Sequence, residues 1–533
     1  MNAQLVLTNG NIHTMDSRIP RTQAIAIAGE RILAVGYNAA MRSLLAPGGR
    51  VIDLGGRTVT PGLIDAHLHF LSFGLSLQRL NMVGVASLQD ALARVATKAA
   101  VTPDGQWLLG RGWDQSLWPG QGFPSRGDLD SVTPRHPVLL RRKCGHAAWA
   151  NSLALRLAGV DAATPDPDGG AIDRDPATGE PTGILKETAI DLVDRVIAQP
   201  DDEQATAAVR TAMNTVHAMG ITGVHNMEDD QALRAFQVLR EQGKLKLRVL
   251  QQIPEVDLDA AIRLGFRSGF GDDWIRIGAV KIFSDGSLGA RTALMVEAYE
   301  GEPDHFGIAV ASAEHLRVQV ERAARAGIAV HIHAIGDQAN RNVLDAIAAT
   351  RQAGVGLHLR HRIEHAQVLH PADLPRFAQL GVIASMQPIH CTQDMVIADA
   401  HWGARCGLAY AWSTLLSSGA ALAFGSDAPV ETPDVMQGVY AAVTRRRADG
   451  FPSAEGWYPE ECVSVQEALY AYTLGAAYSA GEEQSKGSLT PGKVADLTVL
   501  SQDIFTQPAD ALLETRVIAT MVGGEFVFEA GLS

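Results

Sequence analysis

Residues 61–70 read PGLIDAHLHF, an apolar run (Gly62, Leu63, Ile64) that ends in His67 and His69 with one leucine between them. Alternate side chains of a strand share a face, so the two rings point the same way. Taken alone, the pair could equally be two solvated imidazoles at an exposed strand end, because short motifs recur by accident. The alternative is two neutral imidazoles aimed at one metal ion. What decides between them is whether other strands end in side chains of the same kind, and that question also decides the fold.

Moving outward, seven further short β-rich runs share the character of 62–70: GITGVHNME (220–228), KLRVLQQI (246–253), IGAVKIFSD (277–285), IAVHIHAI (328–335), LRHRIEHA (359–366), GVIASMQP (381–388) and LAFGSDAP (422–429). Helical segments such as AEHLRVQVERAARAG and QANRNVLDAIAATRQAG separate many of them. These carry apolar residues at i, i+3, i+4 spacing and end at Gly327 and Gly354, which suit the position just past a helix C-terminus. Eight strand–helix repeats predict an α/β fold, a closed (β/α)8 barrel of the TIM type, over 61–84 plus 201–486. About 150 residues separate the first strand from the second, far more than an ordinary loop. Residues 85–200 have their own patterned segments and are expected to form an inserted lid subdomain over the barrel mouth. At the two ends, LVLTNGNIHTM and TQAIAIAGERILAVG, then GSLTPGKVADLTVL and TRVIATMVGGEFVFEAG, alternate between turn signals. They are expected to pair as one small β-sandwich domain, 1–60 plus 487–533, with Gly523-Gly524 as a tight turn.

Barrels of this type place their chemistry at the C-terminal strand ends. The first predicted strand ends in His67 and His69, the fourth carries Lys281, the fifth His331 and His333, the sixth His365 and the eighth Asp427. A solvated accident explains one such pair; it does not explain five strand ends. His331 lies one layer deeper than His333 and is expected, with His225 and His361, to pack behind the site. Asp337, after Gly336, is a candidate cap for the following helix.

Composition is that of an ordinary globular protein, with 46% hydrophobic and 20% charged residues among 533. The formal net charge of −14 argues against nucleic-acid or anionic-membrane partners, which need a basic face. Four scattered cysteines (Cys144, Cys391, Cys406, Cys462) without a C-x-x-C pair, no signal-like start and no bilayer-length apolar run lead to the expectation of a cytoplasmic protein with reduced thiols. The expected partner is a small-molecule amide; a homodimer stays open.

The fragments PGLIDAHLHF, GILKETA, VKIFSDGSLGART, HIHAIGDQA, RIEHAQ, GSDAPV and PGKVADLTVL, in this order and spacing, resemble the amidohydrolase superfamily, in particular the amidohydrolase 3 branch that includes N-substituted formamide deformylases. The resemblance covers essentially the whole chain. It implies one or two divalent ions, usually zinc, and hydrolysis by metal-activated water. Carried over by position, it implies His67, His69 and Asp427 as ligands of a first metal and His333 and His365 as ligands of a second. Lys281 would bridge both as N6-carboxylysine, since an ammonium would repel a cation; the alternative is a neutral or ion-paired lysine beside Asp285. Asp427, beside the water, is the expected catalytic base. In the insertion, Trp113, Asp114, Trp118, His146, Trp149 and Asn151 are candidates for a lid or substrate wall, against the alternative that the tryptophans are the insertion's own core. Asp285 and Arg291 either orient substrate or tie down their loop. Glu187, in GILKETA, matches a position whose role does not follow from the residues. The expected activity is hydrolysis of a non-peptide C–N bond, an N-substituted formamide or related small amide. The alternatives are a cyclic amide or imide, an N-acyl amino acid, or a catalytically silent regulatory or binding barrel.

Overall fold

The computed structural model describes residues 2–532 apart from 121, 143–146 and 168. Eight parallel strands form one sheet: β1 (Leu63–Leu68), β2 (Ile221–Asn226), β3 (Arg248–Pro254), β4 (Ile275–Phe283), β5 (Ala329–Ala334), β6 (Arg362–His365), β7 (Ile383–Met386) and β8 (Leu422–Phe424). They pair in strict sequence order from β1 to β8, the register of a (β/α)8 barrel. The predicted helices stand between them at Ala313–Arg325 and Asp337–Gln352, and Gly327 and Gly354 follow with left-handed φ of 77° and 71°.

The seam between β8 and β1 is closed by the residues just beyond β8, which has only three residues of its own. The Asp65 carboxylate accepts the Ser426 N–H (3.0 Å) and hydroxyl (2.6 Å), and the Asp427 N–H donates to the His67 carbonyl at 2.7 Å. A Cβ at Gly425 would lie 2.5 Å from the His67 nitrogen, so only glycine lets the two chains approach this closely. The same contacts fix Asp427 against His67.

The chain ends build two facing sheets. One has four strands, in the order Arg31–Gly36, Ala24–Ala28, Ala3–Thr8, Leu45–Asp53; the other has six and includes Thr58–Pro61, Leu497–Leu500 and Val517–Val522. Leu7, Ile25 and Ile27 of the first pack with Val59, Leu497, Val499 and Met521 of the second. Gly523 and Gly524, at φ 58° and 79°, make the two-residue hairpin turn. The buried Arg248–Asp496 pair, 2.8 Å from Nη2 to Oδ1, ties β3 to this sandwich. Residues 1–74 and 205–533 form one compact unit.

Residues 75–204 form the other unit. Its six-stranded sheet runs Gly170–Arg174, Pro181–Glu187, Ala147–Ala150, Val138–Arg142, Leu108–Trp113, Leu80–Asn81. Strand alternation sends Leu140 and Trp149 to one face, with Trp113, Trp118 and Leu129. It sends Leu139 and Ala148 to the other, with Leu155 and Leu185. Cys391, Cys406 and Cys462 are free thiols, and among the described residues no helix is long and apolar enough to cross a membrane.

Candidate active site

The barrel strands deliver their predicted donors to one cavity of about 310 Å³, lined by His67, His69, Lys281, His333, His365 and Asp427 among others. The rings of His67 and His365 lie 4.8 Å apart, and those of His333 and His365 4.6 Å apart. Asp427 Oδ1 stands 3.3 Å from His69 Nε2 and 3.5 Å from His67 Nε2.

Backbone conformation at two strand ends departs from simple alternation. Glu364 pairs in register with His333 and Arg362 with His331, so alternation would turn His365 away from the barrel interior. His365 instead has φ of 75° and Ala366 of 44°, and this left-handed step turns the ring into the cavity. Asp427 has φ of 59°. Left-handed backbone at non-glycine residues is costly and clusters at functional sites. Lys281 pairs in register with His331, one layer below Phe283 and His333, and its four-carbon stem spans the difference.

The layer beneath orients the rings. Glu364 is fully buried, 2.6 Å from His67 Nδ1 and 2.8 Å from Arg362 Nη2, which leaves His67 Nε2 for a ligand. Burial alone would raise the Glu364 carboxyl, but Arg362 and His67 outweigh it and hold it well below the usual range. His331 Nδ1 is 3.7 Å from Glu364, and His225 Nδ1 is 2.8 Å from the Arg362 guanidinium. His333 Nε2 bonds the Gly286 carbonyl at 2.9 Å, so Nδ1 is its remaining donor atom.

His67, His333, His365 and Asp427 are in the protonation states a cation needs. Burial, then the Lys281 charge, lowers His67 to about 4 and His333 to about 3, and burial takes His365 well below its ordinary value; all are neutral imidazoles near pH 7. Asp427 would be raised by burial, but its bond with His69 and the neighbouring imidazoles keep it ionised. Burial lowers Lys281 to about 8. Lys281 Nζ and His365 Nδ1 are buried with no hydrogen-bond partner among the described residues. The donor atoms of His67, His365 and Asp427 all lie within 4.8 Å of one another. Neutral nitrogens, an anionic carboxylate and unpartnered buried atoms at one point suit a divalent ion. This closest trio draws from both of the ligand sets expected from the resemblance.

For several candidate substrate contacts the structure shows other partners, as the alternatives for the tryptophans, Asp285 and Arg291 allowed. Trp113 is 0% exposed, inside the core of the 75–204 unit against Trp118 and Trp149, and its indole N–H donates to the Leu140 carbonyl. It is core and presents no face to a ligand. Asn151 caps the helix Ser152–Ala158. Asp285 is buried, and its carboxylate accepts the N–H groups of Leu294, Ile335 and Gly336 at 2.9–3.0 Å. Burial pushes it up to about 7 against those three amides, so it ties down its loop. Arg291 is exposed and pairs with Glu302, so it also ties its loop. Asp114 pairs with Arg142 at 2.7 Å. Glu187 begins a turn at φ 50° and lines a shallow hollow with Phe123, Arg142 and Lys186. His146 lies outside the described residues. The cap of helix Asp337–Gln352 is Gly336, while Asp337 accepts the Val296 N–H at 2.8 Å.

Sequence reasoning missed Glu364 and Arg362, although both stand in RIEHAQ at the alternate, inward positions of β6. It also missed Phe283, Gln367, His390, Asp394 and Glu431, which line the cavity. His390 and Asp394 come from the helix Pro388–Trp402, beyond the end of β7, where strand reading stops.

The profile described as the Amidohydrolase family (Amidohydro_3) matches residues 50–528. The chain is 35% identical to Protein LONG AFTER FAR-RED 3 of Arabidopsis thaliana, over 99% of this chain and 92% of that one. It is 31% identical to the N-substituted formamide deformylase of Arthrobacter pascens, over 98% of both. Among solved structures, a metal-dependent hydrolase of Pyrococcus furiosus, itself uncharacterized, is 31% identical with a TM-score of 0.79, over 94% of this chain and all of that one.

Proposed function

Because the chain belongs to the amidohydrolase family and is a metal-dependent hydrolase, we propose that it cleaves the C–N bond of a small non-peptide amide, an N-substituted formamide being the favoured class. The observation that carries this reading is the meeting of His67, His69, Lys281, His333, His365 and Asp427 in one cavity. These side chains would hold a divalent ion, zinc for an imidazole-rich set, whose bound chemistry would be a lowered water pKa and a polarised amide carbonyl. Asp427 takes the proton of the attacking water and returns it to the leaving amine nitrogen. Glu364 holds the His67 ring by its Nδ1, and Gly286 holds His333. The Lys281 ammonium, which has no hydrogen-bond partner among the described residues, would lose one proton and add as the amine to carbon dioxide: an N–C bond forms as one C–O π bond opens, a second proton leaves, and the carbamate offers oxygen donors in place of the ammonium.

Two observations support a neutral amide over an N-acyl amino acid or the anionic product of a cyclic imide. Among the described residues no arginine lines the cavity, and Arg291 is paired with Glu302. Phe283, Leu288, Ile335 and Val430 add an apolar wall suited to an N-substituent. The test is turnover by metal-replete protein of N-alkyl and N-aryl formamides, cyclic amides and N-acyl amino acids. Formamides should turn over fastest. Turnover confined to acyl amino acids would replace the substrate assignment, and none on any class would favour a silent barrel.

A further inference from the structure

Besides its apolar residues, the cavity is lined by the polar side chains of Gln367, His390 and Asp394, none of them in the predicted donor set. His390 and Asp394 lie one turn apart on the helix Pro388–Trp402, and Gln367 lies two residues past β6. Gln367 Nε2 is 3.4 Å from His390 Nδ1; donation there puts the imidazole proton on Nε2, which becomes a donor. Gln367 Oε1 and His390 Nε2 are buried and have no hydrogen-bond partner among the described residues, the two residues being only 3% and 8% exposed; His390 Nε2 stands 3.7 Å from Asp427 Oδ2, at the edge of the predicted donor set. Leaving such atoms unpaired is expensive unless a ligand satisfies them.

The wall is held from behind by residues that do not line the cavity. The Tyr410 hydroxyl donates to Asp394 Oδ2 at 2.7 Å, and the Tyr410 N–H donates to the Gln367 carbonyl at 2.6 Å. Tyr410 is fully buried in left-handed backbone at φ 52°, and the buried Arg445 guanidinium donates to the carbonyls of Ala409 and Tyr410 at 3.0 and 2.8 Å. A strained, over-determined support of this kind fixes the side chains it carries. Asp394 Oδ1 carries no further hydrogen bond among the described residues. The wall therefore offers one N–H donor and two acceptor oxygens, one of them on a carboxylate, and no cation.

We propose that Gln367, His390 and Asp394 form a subsite for a hydroxyl or ammonium group on the substrate's N-substituent, so that the preferred amide carries a hydrogen-bond donor on its apolar arm. This rests on the amide reading of the same cavity. Ring and chain satisfy the apolar wall, while the donor reaches Asp394 and Gln367 and any lone pair it has accepts from His390.

The experiment compares N-phenethylformamide with its 3-hydroxymethyl and 3-aminomethyl ring derivatives on the metal-loaded wild type, Asp394→Ala, Asp394→Asn and Tyr410→Phe. The wild type should prefer both donor-bearing substrates by about tenfold or more in kcat/KM, mostly through KM, as for a hydrogen bond to a charged group. Asp394→Ala should shrink that ratio to within about twofold. Asp394→Asn should keep more of the hydroxyl preference than of the ammonium preference, which separates the two chemistries. Tyr410→Phe should weaken both and serves if the Asp394 variants do not fold. A wild type without preference, or variants that slow all three substrates equally, would overturn the subsite. Calorimetric binding of the three corresponding amines tests it independently of turnover. If the amines bind in the predicted order but no formamide is hydrolysed, the reaction assignment fails and the subsite stands; equal affinities overturn the subsite.

Discussion

In the 75–204 unit, Trp113, Trp118 and Trp149 pack with ring centroids 6.0–6.3 Å apart, and each indole N–H is used, donating to Leu140, Val85 and Ser125 carbonyls respectively. In the barrel cavity the rings are as close, yet Lys281 Nζ, His365 Nδ1, Gln367 Oε1 and His390 Nε2 are buried without hydrogen-bond partners among the described residues. Both regions look alike in sequence, as aromatic and imidazole rings clustered beside strand ends. The first is a finished core, because all three indole N–H groups are satisfied from within. The second is held by its surroundings in a state that only a ligand completes.

Asp427→Asn should sharpen this contrast most. The amide keeps the shape and one oxygen donor of a residue fixed by its N–H to the His67 carbonyl, but removes the basic oxygen. Metal content should remain near that of wild type while kcat falls by roughly 10² to 10⁴, the range of a lost general base. Normal turnover in a metal-replete variant would move the base to another residue of the cavity. The expected effect in the other region is smaller and of another kind. Trp113→Ala should cost about 3–5 kcal/mol of stability by opening a core cavity. It should lower the melting temperature and leave substrate preference unchanged. A change of preference among N-substituents in a stable Trp113→Ala protein would break the comparison.

The barrel was legible because its strands are short apolar runs between glycine and helix signals, and all eight lie where alternation and spacing put them. Period two fixed that His67 and His69 share a face, as do His331 and His333; Lys281, His365 and Asp427 were named from their places at strand ends and from the family resemblance. What alternation could not supply is tertiary closure. Nothing in RIEHAQ says that a left-handed φ at His365 will reverse its facing, nor that Glu364 will meet the ring of His67 some three hundred positions away. His390 and Asp394 sit on a helix, where the strand period no longer applies. Asp285 stood between orienting substrate and tying down its loop, because three backbone amides that consume a carboxylate leave no mark in sequence. The tryptophans were ambiguous for a related reason, since a buried ring and a pocket ring have the same letter.

The central claim is that the unpartnered groups of the barrel cavity are those of a metal centre that hydrolyses amides. One cycle of chelation and reloading tests it most directly, with elemental analysis and formamide hydrolysis measured on the same samples at each stage. Active protein should contain one to two equivalents of divalent metal, lose both metal and activity on chelation, and regain both when zinc is added. Undiminished hydrolysis by verifiably metal-free protein would contradict it.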